Sequence, residues 1–351
     1  MTRAGALSRQ LVRRIAGHPV EWDKDRRDAV RLLVSDGSSD RVVPFTELAG
    51  QLLPGDLLVV NESATLPASL PARADFGEFR LNLSTDFGDN VWLAEPRWSP
   101  SRPGPVPLDA GEEFEAAGLS TRVIGRYPGI RRLAFVRISG DAPGAMHTLG
   151  SPIRYGYAEA DFGLAAYQTI FARVPGSAEM PSAARPFTPE TLAALTERGV
   201  RVERIVLHSG VSSLEEGDVL PGYRPVFPEP FDVPARVVHA IEFTRRRGGR
   251  VVVVGTTVLR ALESAMYGGR PRPTQGFTQA YLRPARPVTS VDGLLTGLHD
   301  TGTTHLALMN ALVPPDRLDR AYRTAESAGL LWHEFGDSHL VWRRPSPQAA
   351  G

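Results

Sequence analysis

The stretch Gly248-Gly249-Arg250-Val251-Val252-Val253-Val254-Gly255-Thr256-Thr257-Val258-Leu259-Arg260-Ala261-Leu262-Glu263-Ser264 decides the fold. Four consecutive valines cannot alternate between a wet and a dry face, so they read as a strand covered on both sides, in the middle of an α/β sheet. Gly255 lets the chain turn sharply, Thr256 or Thr257 is placed to cap a helix, and Val258, Leu259, Leu262 and Met266 recur at helical spacing on one face. At such a junction the free N–H groups and the positive end of the helix meet the carboxyl end of the strand, where open α/β sheets bind ligands. The spacing fits neither a dinucleotide fingerprint nor a phosphate loop. The turn by itself names no ligand.

Outward from this unit, other apolar runs also end on polar tips. Leu57-Leu58-Val59-Val60 follows a Pro54-Gly55-Asp56 turn and delivers Asn61-Glu62-Ser63; 202–207 ends on His208-Ser209; 294–298 ends on His299-Asp300. A strand within 28–36 and a last strand over 338–342, introduced by Gly336-Asp337, complete the expected sheet. Helices are expected over 188–198, with Pro189 at the first position, and over 305–312. Between about 67 and 142 the texture changes to short strands separated by glycine, proline and aspartate, with no helix-length period, which reads as a small barrel. The segments 96–107 and 217–234 are proline-rich and are expected to be loops. The predicted organisation is a discontinuous α/β domain (1–66 plus 143–345), an inserted all-β barrel-like domain (67–142) and a tail (346–351).

A chain of 351 residues favours two domains or one with a large insertion. With no cysteine, disulfides, thiolate nucleophiles, Cys-ligated zinc and Cys-held clusters are excluded. Lys24 is the only lysine and sits in a charged N-terminal segment, a poor setting for Schiff-base chemistry. The net charge of +1 advertises no polyanion, although Arg131-Arg132, Arg245-Arg246-Arg247 and Arg343-Arg344 are local basic clusters. No apolar run approaches the roughly 20 residues of a membrane span, and the N-terminus lacks the apolar core of a secretory signal. A cytoplasmic monomer with no membrane partner is expected. His299 with His305, and His333 with His339, are spaced too widely for the two-histidine helix face of a metalloprotease, so no metal is expected.

Several short motifs fall in a fixed order: Leu53-Pro54-Gly55-Asp56-Leu57-Leu58-Val59, Tyr167-Gln168-Thr169, the Pro-Ser-Ala and Phe-Thr within 181–188, Leu207-His208 with Gly210, Gly255-Thr256-Thr257 with Arg260 and Leu262-Glu263-Ser264, Leu295-Thr296 with His299, and Gly336-Asp337. In this order and spacing the chain resembles the S-adenosylmethionine:tRNA ribosyltransferase-isomerases, which make epoxyqueuosine in tRNA. The resemblance implies an α/β domain interrupted by a small β-barrel. It also implies transfer of the ribosyl part of S-adenosyl-L-methionine to the aminomethyl group of a 7-deazaguanine base in the anticodon, with loss of adenine and methionine.

That chemistry needs a base to take a ribose C5′ proton acidified by the sulfonium, an uncharged acceptor amine, and a proton for the departing adenine. The catalytic candidates are His208, His299, Glu62 and Asp300. The candidate contacts to S-adenosyl-L-methionine are Asn61, Tyr167, Gln168, Thr169, Phe187, Gly255, Thr256, Thr257, Arg260, Glu263 and Asp337. Among them, the N–H groups at Thr256-Thr257 suit the methionine carboxylate, and Tyr167 or Phe187 suits stacking on a base or lying over the sulfonium. Where the family shows Asn-Asp-Thr-Arg this chain has Asn61-Glu62-Ser63-Ala64, and the family's Leu-His-Phe-Thr is Arg185-Pro186-Phe187-Thr188. Such departures leave three readings open: the tRNA base as acceptor, a small-molecule acceptor, or a non-catalytic module that binds a nucleoside or RNA.

Overall fold

Val251 and Val253 point into one hydrophobic core and Val252 and Val254 into another, and all four are fully buried. The strand is thus covered on both faces, and each valine stabilises the fold by about 1.5–3 kcal/mol of apolar burial. A computed structural model describes residues 13–102, 104–211, 219–223, 226–300 and 303–343. The expected tail at 346–351 lies outside the described residues.

In chain order the strands are β1 (Arg31–Ser35), β2 (Asp40–Pro44), β3 (Leu57–Asn61) and β4 (Ser63–Thr65), then six barrel strands. These are β5 (Ser69–Ala74), β6 (Gly77–Asp86), β7 (Val91–Arg97), β8 (Glu113–Ala116), β9 (Leu119–Arg126) and β10 (Ala134–Ile138). The main domain continues with β11 (Val174–Ser177), β12 (Arg201–Leu207), β13 (Glu229–Val233), β14 (Val251–Val254), β15 (Thr274–Thr278), β16 (Gly293–Gly297) and β17 (Ser338–Trp342). The principal helices are α1 (Ala142–Leu149), α2 (Pro189–Glu197), α3 (Ala235–Arg246), α4 (Thr256–Ser264), α5 (Thr304–Leu312) and α6 (Pro315–Ser327). None of the described helices is long and apolar enough to cross a membrane.

The main sheet has nine strands in the order β15-β13-β12-β3-β14-β16-β17-β1-β2, with β14 at its centre. The four neighbours β12, β3, β14 and β16 are parallel, so their carboxyl ends share one edge. Residues from α3, α4, α5 and α6 build the core on one face, while α2, Phe45, Phe171 and Phe187 build the other. Six antiparallel strands between Ser69 and Ile138 close a barrel in the order β9-β10-β7-β6-β5-β8 around its own core of Leu81, Leu83, Leu93, Val123 and Val136. Alternation is visible in β10, where Ala134, Val136 and Ile138 are buried and Arg137 is exposed.

Two expectations need correction. The segment 217–234 is not a loop throughout: Glu229–Val233 is a strand of the main sheet, paired antiparallel with both β12 and β15. Pro230 sits there without a ladder N–H, but its carbonyl still accepts from His208 N–H (2.9 Å). Nor does a threonine cap α4. The cap position is Gly255, at φ +94°, with no side-chain cap, and Thr256 is already the first helical residue.

Candidate active site

Because β12, β3, β14 and β16 end on one edge, His208, Asn61, Gly255 and His299 stand along a line spanning three strand spacings, about 14 Å. The best-ordered cluster lies at the His208 end. There β3 runs on into β4, which pairs in parallel with β11 and brings Ser63 and Ser177 under the imidazole. Ser63 Oγ lies 2.7 Å from His208 Nδ1 and 2.6 Å from Ser177 Oγ, and both serines are fully buried. Ser177 Oγ accepts from Ser209 N–H (3.0 Å), and in the Ser63–Ser177 bond either hydroxyl can donate. With Ser63 donating to Nδ1, the neutral imidazole carries its proton on Nε2, the end away from the serines. Burial lowers the His208 pKa, which keeps the ring neutral at pH 7. Gly176 backs the ring so closely that a Cβ on it would sit 2.5 Å from Nδ1 and Cε1.

Next along the edge is the N-terminus of α4, whose first N–H groups have no carbonyl one turn back. Thr257 and Arg260 lie half-buried on its open face. Arg260 pairs with Glu229 at the start of β13, and the other Glu229 oxygen accepts from Gly210 N–H (3.0 Å), two residues beyond His208. Arg260 thus ties the helix to the loop that carries the histidine. At the far end, His299 Nε2 bonds Thr296 Oγ1 (2.7 Å), and its ring stacks on His305 of α5 at 4.7 Å. Desolvation, then the neighbouring histidines, hold His299 well below the ordinary imidazole range; desolvation, then Arg260, holds His305 at about 4. Among the described residues no cluster of metal-ligating side chains is present.

The structure brings His208, Asn61, Gly255, Thr256, Thr257 and Arg260 to one edge of the sheet, with His299 at its far end. It does not bring the other expected residues there. Side chains alternate along an extended segment, so Glu62 points the opposite way from Asn61 and Ser63, toward Arg236 of α3 (3.6 Å). Asp300 lies at the surface, paired with Arg13 (2.7 Å). Asn61 is fully buried: Oδ1 accepts from the N–H of Ser63 and of Leu207 (3.1 Å each), and Nδ2 donates to the Leu207 carbonyl (2.8 Å) and to Thr257 Oγ1 (3.5 Å), which leaves its side chain little capacity for a ligand. Gln168 spends its amide on both backbone groups of Thr65 (3.0 and 2.8 Å), and Thr169 Oγ1 accepts from Phe171 N–H (3.2 Å). Phe187 is a core residue, edge-on to Phe45 and Phe171 at 5.4 and 5.2 Å, so its ring is closed to any ligand. Glu263 accepts from the N–H of Thr289 and of Ser290 (2.8 Å each), and Asp337 binds the backbone of Arg31 and Leu331. Both carboxylates brace loops away from the cleft.

The ring of Tyr167 packs against Phe335 (5.5 Å) and is equally unavailable for stacking, but its buried hydroxyl has no hydrogen-bond partner among the described residues. Tyr167 lines a cavity of about 340 Å³ between the barrel and the 151–162 segment. Ser177, Gly176, Glu229 and His305 neighbour the candidate residues, and sequence reasoning did not place them there. Only the β4–β11 pairing reveals the first two; the proline-rich setting of Glu229 disguised a strand; His305 stood out only through its spacing to His299.

The chain matches the family model described as "Queuosine biosynthesis protein" over residues 11–341. It is 34% identical over 327 residues to the S-adenosylmethionine:tRNA ribosyltransferase-isomerase of Anaeromyxobacter dehalogenans, covering 91% of this chain and 94% of the relative. To the protein of the same name from Thermus thermophilus it is 34% identical over 298 residues, 83% of this chain and 85% of the relative. A crystal structure of the S-adenosylmethionine tRNA ribosyltransferase of Thermotoga maritima superposes with a TM-score of 0.51 at 27% identity, covering 93% of this chain and 96% of that one. With an α/β sheet, a closed inserted barrel and sequence similarity along most of its length, the chain belongs to the queuosine biosynthesis protein family and, like the relatives it matches, is an enzyme.

Proposed function

We propose that the protein transfers and isomerises the ribosyl part of S-adenosyl-L-methionine onto the aminomethyl group of a 7-deazaguanine base in a tRNA anticodon, releasing adenine and methionine, in the cytoplasm. The observation that carries this reading is the place of His208, its Nδ1 2.7 Å from the buried Ser63–Ser177 pair, one strand spacing from Asn61 and two from the α4 N-terminus. A neutral imidazole offering an N–H is suited to meet a ring nitrogen of adenine as the C–N bond to the ribose breaks and negative charge builds there. The ring keeps its proton and stabilises the departing adenine through that hydrogen bond, a contribution of about 10²–10³-fold in rate. The N–H groups of Thr256 and Thr257 supply the complement for the methionine carboxylate. The Arg260–Glu229 pair fixes the helix against the His208 loop, and so holds the two ends of the donor at a constant separation.

Purified protein incubated with S-adenosylmethionine and an anticodon stem-loop bearing the aminomethyl-deazaguanine is expected to release adenine, read by mass spectrometry. Adenine released only with a free small-molecule amine would move the acceptor from RNA to that class. No adenine with any acceptor, together with no heat of S-adenosylmethionine binding, would remove the reading. His208→Ala is expected to cut the adenine rate at least about 10²-fold.

A further inference from the structure

The cavity beside Tyr167 is built from both parts of the chain: Arg80, Asn82 and Arg97 come from the barrel, and Ser151, Arg154 and Tyr167 from the returning segment. Its charge is unbalanced. Three guanidiniums line it against one lining carboxylate, Asp161, which stands 3.0 Å from Arg154 Nε as an ion pair and is itself 90% exposed. Arg97 shares Glu95 with Arg132 behind the wall. Arg80 meets no carboxylate within ion-pair distance among the described residues. Its Nε and Nη2 donate to Ser69 and Ser151, all neutral acceptors, and Nη1 is engaged by none of the described residues. The Tyr167 hydroxyl, on a residue only 3% exposed, is a second donor without a partner among the described residues. Leaving such a group unmet costs about 1–3 kcal/mol, and an oxyanion would repay it.

We propose that this cavity binds a backbone phosphodiester of the substrate RNA, with Arg80 Nη1 and the Tyr167 hydroxyl as its principal donors. This rests on the RNA-acceptor reading given above. A surplus of positive charge excludes the other substrate, because S-adenosylmethionine carries a sulfonium and an ammonium against a single carboxylate. The placement fits as well. Thr65 Oγ1 donates to the Tyr167 carbonyl (2.7 Å), and Ser63 is two residues along the same strand, about 7 Å away. The cavity wall is thus joined through β4 to the residue that bonds His208.

The test measures binding of a fluorescent anticodon stem-loop to the full chain by anisotropy across salt concentrations, alongside the melting shift caused by inorganic phosphate. Arg80→Gln is expected to weaken RNA binding about tenfold to a hundredfold. It should also lower the slope of log Kd against log salt by about 1 and abolish the phosphate-induced shift. Because Arg80 also braces Ser69 and Ser151, Tyr167→Phe is the cleaner variant: it removes only the unpartnered hydroxyl. It is expected to leave the ligand-free melting temperature unchanged or raised while weakening RNA binding several-fold. RNA affinity and salt slope equal to wild type in both variants would overturn the phosphate site and leave the functional reading standing. A wild-type protein that binds no RNA would overturn both.

Discussion

Replacing Gly176 with alanine tests whether the support of His208 matters to turnover. A Cβ at 176 would stand 2.5 Å from the ring, whereas carbon contacts settle near 3.5 Å, so the imidazole must retreat by about 1 Å. That retreat can stretch the 2.7 Å bond to Ser63 to as much as about 3.7 Å, which is no longer a hydrogen bond. Gly176 also has φ +154°, where a side chain costs about 1–3 kcal/mol. With about 1 kcal/mol for the lost bond, the variant should be less stable by about 2–4 kcal/mol. Misplacement of a reacting group by 1 Å costs about 10²-fold, so adenine release should fall by that order. A double-mutant cycle in urea separates the two causes. In a His208→Ala background the clash vanishes and only backbone strain remains, so Gly176→Ala should cost about 1 kcal/mol less there. Identical costs in both backgrounds, or full turnover by the single variant, would refute the idea that Gly176 makes room for a working imidazole.

Three further outcomes are expected. His339 is fully buried, bonded through Nε2 to Ser35, and desolvation lowers it to about 4 from an ordinary 6.5, so the folded state binds fewer protons than the unfolded one. Its contribution is complete above pH 6.5 and is lost as pH falls, by about 2 kcal/mol at pH 5; His339→Gln should flatten the pH dependence of the urea midpoint, and an unchanged slope would contradict this. Glu229→Gln keeps an acceptor for Gly210 but leaves Arg260 without its counter-charge, and should cost about 3 kcal/mol with a parallel fall in turnover; a variant as stable as wild type would show the pair to be idle. Phe187→Ala should cost about 3–5 kcal/mol while leaving S-adenosylmethionine affinity unchanged by calorimetry. A tenfold loss of affinity in the folded variant would return Phe187 to the site.

The strands were legible because burial on both faces leaves a run of apolar residues, as at Val251–Val254, and the barrel because its turns recur at short intervals. The site was harder to read. A polar residue at a strand tip looks the same in sequence whether it faces a ligand or closes a backbone gap. Asn61 and Gln168 do the second, each occupied with neighbouring main chain. Glu62 stood between two site-side residues, and alternation alone turned it away. Phe187 shares a motif with residues near the cleft, yet motifs record the whole neighbourhood of a site, including its packing. Ser177 lies 114 residues from the Ser63 it touches, and Arg80 lies 71 from Ser151. Contacts at that separation are set by tertiary pairing and leave no local mark.

The chain leaves the main sheet along β4 and comes back along β11, and these two strands hold each other by parallel pairing. The same ribbon carries the serine pair that steers the imidazole. The inserted barrel is therefore not a detachable cassette. Deleting it, or grafting a barrel from a relative with a different neck, would re-aim the histidine, and a tug that a bound macromolecule exerts on the barrel reaches it both through that ribbon and through Ser84, which accepts from Val211 N–H three residues beyond His208.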